Sequence, residues 1–313
     1  MRSKIEKTHQ RRLKETIFRD LKQNGSLYIL ILPVLAFYII FAYGPMYGAL
    51  IAFKDFSPAK GILGSNWVGL AHFKDFLTSH YFFRLLKNTL TISISTLVVT
   101  FPSAIIFALL INEIRTKWFA KTVQTITYMP HFISLVVMCG LVTNFTSSGG
   151  IINDLAALFR FERKTLLNDP RYFVPIYVVS DLWQHMGWNS IIYLAALAGI
   201  DQGLYEAASL DGAGRFRQTI LITIPCIMPT IIIMFILAVG KIVNVGYEKI
   251  ILLYNPVTYE KADVISSFVY RKGLEDMQFS YSTAVGLFNS LVTFILVTIT
   301  NFLSRKYQGV GLW

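Results

Sequence analysis

Six stretches of this chain are long and apolar enough to be bilayer-spanning helices, which need about 20 mostly apolar residues each. They run over 27–43, 88–111, 122–142, 174–200, 220–245 and 281–303. In lipid the backbone must satisfy its own hydrogen bonds, so only helices and closed barrels can span. Runs of this length predict an all-α, polytopic integral membrane protein with six transmembrane helices. Pro102 interrupts the second run and Pro130 lies inside the third. The fourth carries several polar groups. The chain is 54% hydrophobic and only 15% charged, against about 25% charged residues in a soluble domain. The deficit of charge, more than the surplus of apolar residues, makes lipid the solvent.

Three regions follow: a basic N-terminal segment at 1–26, a six-helix membrane domain at 27–303, and a short tail at 304–313. Eight of the 29 Lys and Arg precede the first apolar run (Arg2, Lys4, Lys7, Arg11, Arg12, Lys14, Arg19 and Lys22). That placement fits a cytoplasmic anchor at lipid headgroups better than a nucleic-acid footprint, so the net charge of +11 does not predict a nucleic-acid partner. The segment has no apolar core with a cleavage site and is not a secretory signal. Basic residues total 15 on the predicted cytoplasmic side and 13 on the other. Orientation therefore rests on the N-terminus and on the short loop carrying Arg115, Lys117 and Lys121. Both termini are expected on the cytoplasmic side of the membrane. The outer loops, at 44–87, 143–173 and 246–280, are long enough to need a purpose: a platform for an extracytoplasmic partner, or local lid structure over a path through the membrane. His72–Phe76 and Asp263–Tyr270 are candidate short surface helices within them. Cys139 and Cys226 lie in apolar runs, predict no disulfide framework, and match no zinc spacing.

Between the fourth and fifth runs lies a compact polar insert, at about 200–225. Good helix formers lead to Leu210. Asp211, Gly212, Ala213 and Gly214 then break the helix, and a second short helix runs into Pro225. The pattern predicts a rigid elbow on the membrane surface.

Polar groups inside a span tend to face the bundle interior or an aqueous cavity. Asp181, His185 and Trp188 fall at i, i+4 and i+7, on one helix face; Gln184 and Asn189 lie beside them. Aromatic faces next to amides and carboxylates suit sugars, which stack by ring faces and pair by hydroxyls. These residues are expected to line a substrate path. Interhelical hydrogen bonding that merely holds the bundle is the alternative. Lys241, Asn244 and Glu248 at the end of the fifth run form a candidate polar ring at the outer mouth. A snorkelling Lys241, or a Lys241–Glu248 pair, reads the same residues without function. His131 reads as a polar contact at a proline kink rather than a proton relay.

Catalytic and metal-binding constellations are missing from the sequence. There is no G-x-x-x-x-G-K-[ST] phosphate loop, no G-x-S-x-G elbow and no H-E-x-x-H. Active transport by such a chain must draw on another subunit or on an ion gradient.

The elbow resembles the cytoplasmic signature of the inner-membrane permeases of binding-protein-dependent ATP-binding cassette importers. The matching residues are Glu206-Ala207-Ala208, Asp211-Gly212-Ala213, Phe216, Ile222 and Ile224-Pro225; Thr219 departs, standing where that family often has Phe. The likeness extends over nearly the whole chain. Residues Tyr43 to Gly48, Ala52 to Phe56, Trp67 to Leu70, Asn244 to Glu248, Leu252 to Pro256 and Gly309 to Trp313 are similar to the carbohydrate-importer branch. That branch includes permeases for polygalacturonan, rhamnogalacturonan and alginate oligosaccharides. The resemblance implies a second permease, two cytoplasmic ATPase subunits holding ATP and Mg, and an extracytoplasmic binding protein delivering an oligosaccharide. It implies no cofactor on this chain, and ATPase coupling through Glu206, Ala207, Ala208, Asp211, Gly212, Ala213, Phe216 and Pro225. An importer of peptides or other solutes is the nearest alternative. A gradient-driven carrier is the alternative from another class, and it wants a longer intramembrane acid–base chain than Asp181 and His185 provide. A membrane enzyme is a third, without a nucleophile–base pattern.

Overall fold

A computed structural model describes residues 23–313; the basic residues from Arg2 to Lys22 lie outside them. The chain divides into two compact units, meeting at Val68 and Gly69.

In the first unit, α1 (Gly25–Phe37) continues through a π-helical turn (Tyr38–Tyr43) and a short turn into a 3-10 helix (Tyr47–Phe53). The helical stretch is thus longer than the 27–43 span predicted. Strands β1 (Lys54–Asp55) and β2 (Asn66–Trp67) then pair antiparallel, Lys54 opposite Trp67. Phe53 stacks on Trp67 at 5.7 Å, and the Lys54 ammonium caps the intervening turn at the Ile62 carbonyl, 2.7 Å away. Residues 54–67 of the expected outer loop therefore form a built hairpin.

The second unit is helical. Its main elements are α2 (Ala71–Thr78), α3 (Tyr81–Asn112), α4 (Lys117–Tyr128), α5 (Leu135–Thr146), α6 (Ile151–Leu158), α7 (Pro170–Ala198), α8 (Gln202–Leu210), α9 (Ile224–Val239), α10 (Tyr247–Leu253), α11 (Ile265–Tyr270) and α12 (Phe279–Gln308). Over the described residues of both units, five segments are long and apolar enough to cross a membrane: 25–53, 81–112, 135–158, 215–239 and 279–308. The predicted fourth span forms α7, 29 residues long and about 43 Å end to end. It has the length of a span but is diluted by its polar stripe.

The third predicted span is corrected. Residues 122–142 are not one helix, because Pro130 removes a backbone donor and the chain tightens into a 3-10 turn (Met129–Phe132). Ser134 restarts the helix as N-cap, accepting from the Val137 amide. Pro102, by contrast, sits inside an unbroken α3.

The long α3–α7 contact is the spine of the unit. Ala104 and Ala108 admit Tyr193 and Leu197 at one end, and Ile92 meets Phe173 and Tyr177 at the other. Gly187 brings α7 against α4 so closely that a Cβ there would run into the Thr127 backbone, the small-residue packing that membrane helices use. Phe76 of α2 is buried among Phe82, Phe268, Tyr281 and Phe288.

The 246–280 segment is also corrected. Its helix α11 is no surface helix, since Ile265, Ser267 and Phe268 are buried. Asp263, fully buried, accepts from Arg271 at 2.7 Å and from Ser267 at 2.8 Å, with Arg84 at 3.6 Å. Asn88 of α3 donates to the Glu260 and Asp263 carbonyls at 2.9 and 3.0 Å. A buried carboxylate needs such partners, and here they pin the segment to α3. Cys139 is buried and Cys226, placed by the sequence in apolar surroundings, is exposed.

Candidate translocation cavity and coupling elbow

A cavity of about 500 Å³ opens between α3, α7 and the end of α9. The α7 wall repeats every fourth residue: Tyr177, Asp181, His185, Asn189 and Tyr193. Facing it, α3 presents Ser93, Thr96 and Thr100, whose hydroxyls have no hydrogen-bond partner among the described residues. Lys241 and Asn244 complete the wall. Two polar stripes about 10 Å long thus face one another across a partly apolar space.

Asp181, His185, Asn189, Lys241 and Asn244 of the sequence-predicted path residues come together here. Gln184, Trp188 and Glu248 do not line the cavity. Gln184 is buried elsewhere on α7, with its Oε1 unpartnered among the described residues. Trp188 stacks on His131 at 4.2 Å, its ring nearly parallel, with Phe132 edge-on at 5.4 Å. The i, i+7 reading failed because the cavity follows the slanting i, i+4 row. Trp188 stands about 100° behind Asn189 on the helix and so faces the 3-10 turn. The helical spacing assumed for Lys241, Asn244 and Glu248 is also corrected. α9 stops at Val239, Lys241 and Asn244 sit in the following turn, and Glu248 opens α10. None of the ion pairs among the described residues joins Lys241 to Glu248.

Sequence reasoning missed Lys249. It is buried, yet its ammonium reaches Asp181 Oδ1 at 3.4 Å and the Tyr177 carbonyl at 3.2 Å, and lies 4.3 Å from the Tyr177 ring centroid. The signal that could have found it was Asp181 itself. An ionised group at membrane depth demands a partner, and the following outer segment offers a lysine among apolar neighbours.

The elbow is built on local rules. Asp201 caps α8, accepting from the Gly203 amide at 2.9 Å. At its other end the Gly212 amide bonds the Ser209 carbonyl at 3.1 Å and the Ala213 amide bonds the Ala208 carbonyl at 2.9 Å. That pair is the Schellman motif, which needs a left-handed residue at the first position past the cap. Gly212 supplies it with φ +76°. Glu206, Ala207 and Asp211 are exposed, while Ala208 and Ala213 are half-buried. Leu210 and Phe216 project from the tip, 91% and 80% exposed. Pro225 is the second residue of α9, just past the π-helical turn at Thr219–Thr223. Thr219, half-buried, donates to the Arg215 carbonyl one turn back at 3.0 Å.

The family described as "Binding-protein-dependent transport system inner membrane component" matches residues 77–309, from the end of α2 to the end of α12. The chain belongs to this family. The polygalacturonan/rhamnogalacturonan transport system permease protein YteP of Bacillus subtilis (strain 168) is 43% identical over 301 residues, 96% of this chain and 94% of that protein. Protein LplB of the same organism is 43% identical over 294 residues, 94% of this chain and 92% of LplB. A chain in the crystal structure of a bacterial ABC transporter involved in the import of the acidic polysaccharide alginate superposes with TM-score 0.87 at 42% identity, covering 94% of this chain and 99% of that one. As a permease of binding-protein-dependent transport, the chain is a membrane transport component. Its cavity and elbow both lie within the matched region.

Proposed function

We propose that this chain is one of two different permease subunits forming the path of an ATP-driven oligosaccharide importer. An extracytoplasmic binding protein delivers the sugar, and two cytoplasmic ATPase subunits, holding ATP and Mg, engage the elbow at Glu206 to Ala213, Phe216 and Pro225. This chain itself binds no cofactor. It lies in the bacterial plasma membrane with both termini and the elbow in the cytoplasm, and α7 serves as the sixth span. The observation carrying the reading is the cavity's pair of polar stripes. Hydroxyls, an amide and a carboxylate spaced over more than one sugar ring suit a chain of polyols lying along the helices. Similarity to YteP and to the alginate importer supports the same substrate class. Lys249 balances the Asp181 charge, which leaves Lys241 as a cation on the cavity wall and favours an acidic oligosaccharide.

Alternating access then follows from rocking of the helices around the cavity. The complex, reconstituted with its binding protein, should hydrolyse ATP faster when that protein carries oligogalacturonides than when it is empty. Equal stimulation by peptides and none by any oligosaccharide would contradict the substrate class.

A further inference from the structure

Gln218 stands where the elbow turns up into the membrane, and its side-chain amide ties the elbow's two limbs together. Its Nε2 donates to Ser209 Oγ at 3.0 Å and to the Ala213 carbonyl at 2.9 Å. Ser209 Oγ donates onward to the Tyr205 carbonyl at 2.7 Å. The Tyr205 phenol and the Thr223 hydroxyl share a hydrogen bond of 2.9 Å. Thr223 Oγ1 closes the circuit by donating to the Gln218 carbonyl at 3.5 Å. The ring thus runs from an exposed elbow to a buried threonine. Thr223 ends the π-helical turn (Thr219–Thr223) that leads into α9, and such turns gather at functional positions.

We propose that this ring makes the elbow and α9 a single rigid lever, with Tyr205 and Thr223 as positioning residues that pass motion at the elbow into α9. The inference rests on reading the elbow as the contact for an ATPase.

The alternative route is into α3, through Arg215 Nη1 and Glu113 Oε2, 3.3 Å apart. Magnitudes separate the two. Both members of that ion pair are about half exposed, and exposed pairs contribute little. Parting Tyr205 from Thr223 takes from the buried Thr223 hydroxyl the shorter of its two hydrogen bonds, which costs more than an exposed ion pair gains. Gly212 and Gly214 would otherwise let α8 hinge against α9, and the ring spans that hinge. The lever therefore moves with α9 and slips past α3.

The test uses the complete complex in lipid vesicles, with nitroxide labels at native Cys226, which is exposed, and at Leu210→Cys or Leu110→Cys. Distances are measured by pulsed dipolar spectroscopy without nucleotide and with a non-hydrolysable ATP analogue. The lever predicts one narrow 210–226 distribution that does not move with nucleotide, and a 110–226 distribution that shifts. Tyr205→Phe and Thr223→Val should each broaden the 210–226 distribution, and combining them should add nothing. Thr223→Ser, which keeps the hydroxyl, should preserve it. A wild-type 210–226 distance that shifts with nucleotide overturns the lever alone, as does a Tyr205→Phe variant that keeps the narrow distribution. If neither wild-type distance responds, the ATPase reading of the elbow falls and the lever falls with it.

Discussion

The Lys249 ammonium and His185 Nδ1 converge on the same oxygen of Asp181, at 3.4 and 3.3 Å. One carboxylate on α7 thus joins the cavity stripe to α10, 68 residues further along the chain. Removing one partner of a buried pair costs more than removing both, since the survivor stays charged without its counter-charge; at Asp181 only the His185 contact would remain.

Lys249→Met should therefore lower the thermal midpoint of the solubilised protein, by the equivalent of about 3 kcal/mol. The double variant Lys249→Met/Asp181→Asn should recover more than half of that loss. A double variant at least as unstable as the single one would show that the pair does not act as a unit.

Asn189 and Trp188 are neighbours in sequence with different surroundings, which separates cavity contact from packing. Asn189→Leu removes an amide that faces the cavity. It should raise the half-saturating concentration for uptake about tenfold with little change in maximal rate, the signature of lost uniform binding. Trp188→Ala strips the stack on His131 and should leave half-saturation unchanged. The reverse pattern in initial-rate uptake would move the substrate path to the other face of α7.

Gly212 has φ +76° with nothing near its missing side chain, so substitution there meets backbone strain alone. Gly212→Ala should weaken co-purification of the ATPase modestly, through about 1 kcal/mol of strain, and Gly212→Asn less. Gly212→Pro cannot take a positive φ and also loses the amide bonded to Ser209. It should remain in the membrane while uptake is lost and ATP hydrolysis continues. Normal uptake by the proline variant would contradict the role of the turn.

Asp169 caps α7 on its loop side. The Arg171 side chain and backbone amide, both hydrogen-bonded to the carboxylate, hold its pKa at about 2, below the ordinary 3.8. A depressed folded-state pKa gives stability that is fully present above the unfolded value and lost as pH falls through the folded one. The window therefore runs from about pH 4 down to about pH 2. Asp169→Asn should flatten the acid dependence of thermal unfolding across that window. An unchanged dependence would show that the pair adds nothing.

The apolar runs marked most helices because lipid imposes a length and a polarity that a single sequence displays. The elbow was legible for a related reason. A Schellman turn is made by neighbours, and Gly212 announces it. What stayed hidden depended on distant partners. Nothing within a few residues of Lys249 points to Asp181, and nothing near Asp263 shows that Arg84 and Asn88 will bury it. The break at Pro130 and the intact helix at Pro102 look alike in sequence. The difference lies in the residues downstream of each proline. Ser134 can cap a new helix, while the residues after Pro102 carry the old one on.

The central reading is tested most directly by uptake into vesicles that carry the complete complex and loaded binding protein. Oligogalacturonide uptake should require ATP on the ATPase side and persist when proton and sodium gradients are collapsed. Uptake that proceeds without ATP and stops when a gradient is removed would make the protein a gradient-driven carrier and contradict the account.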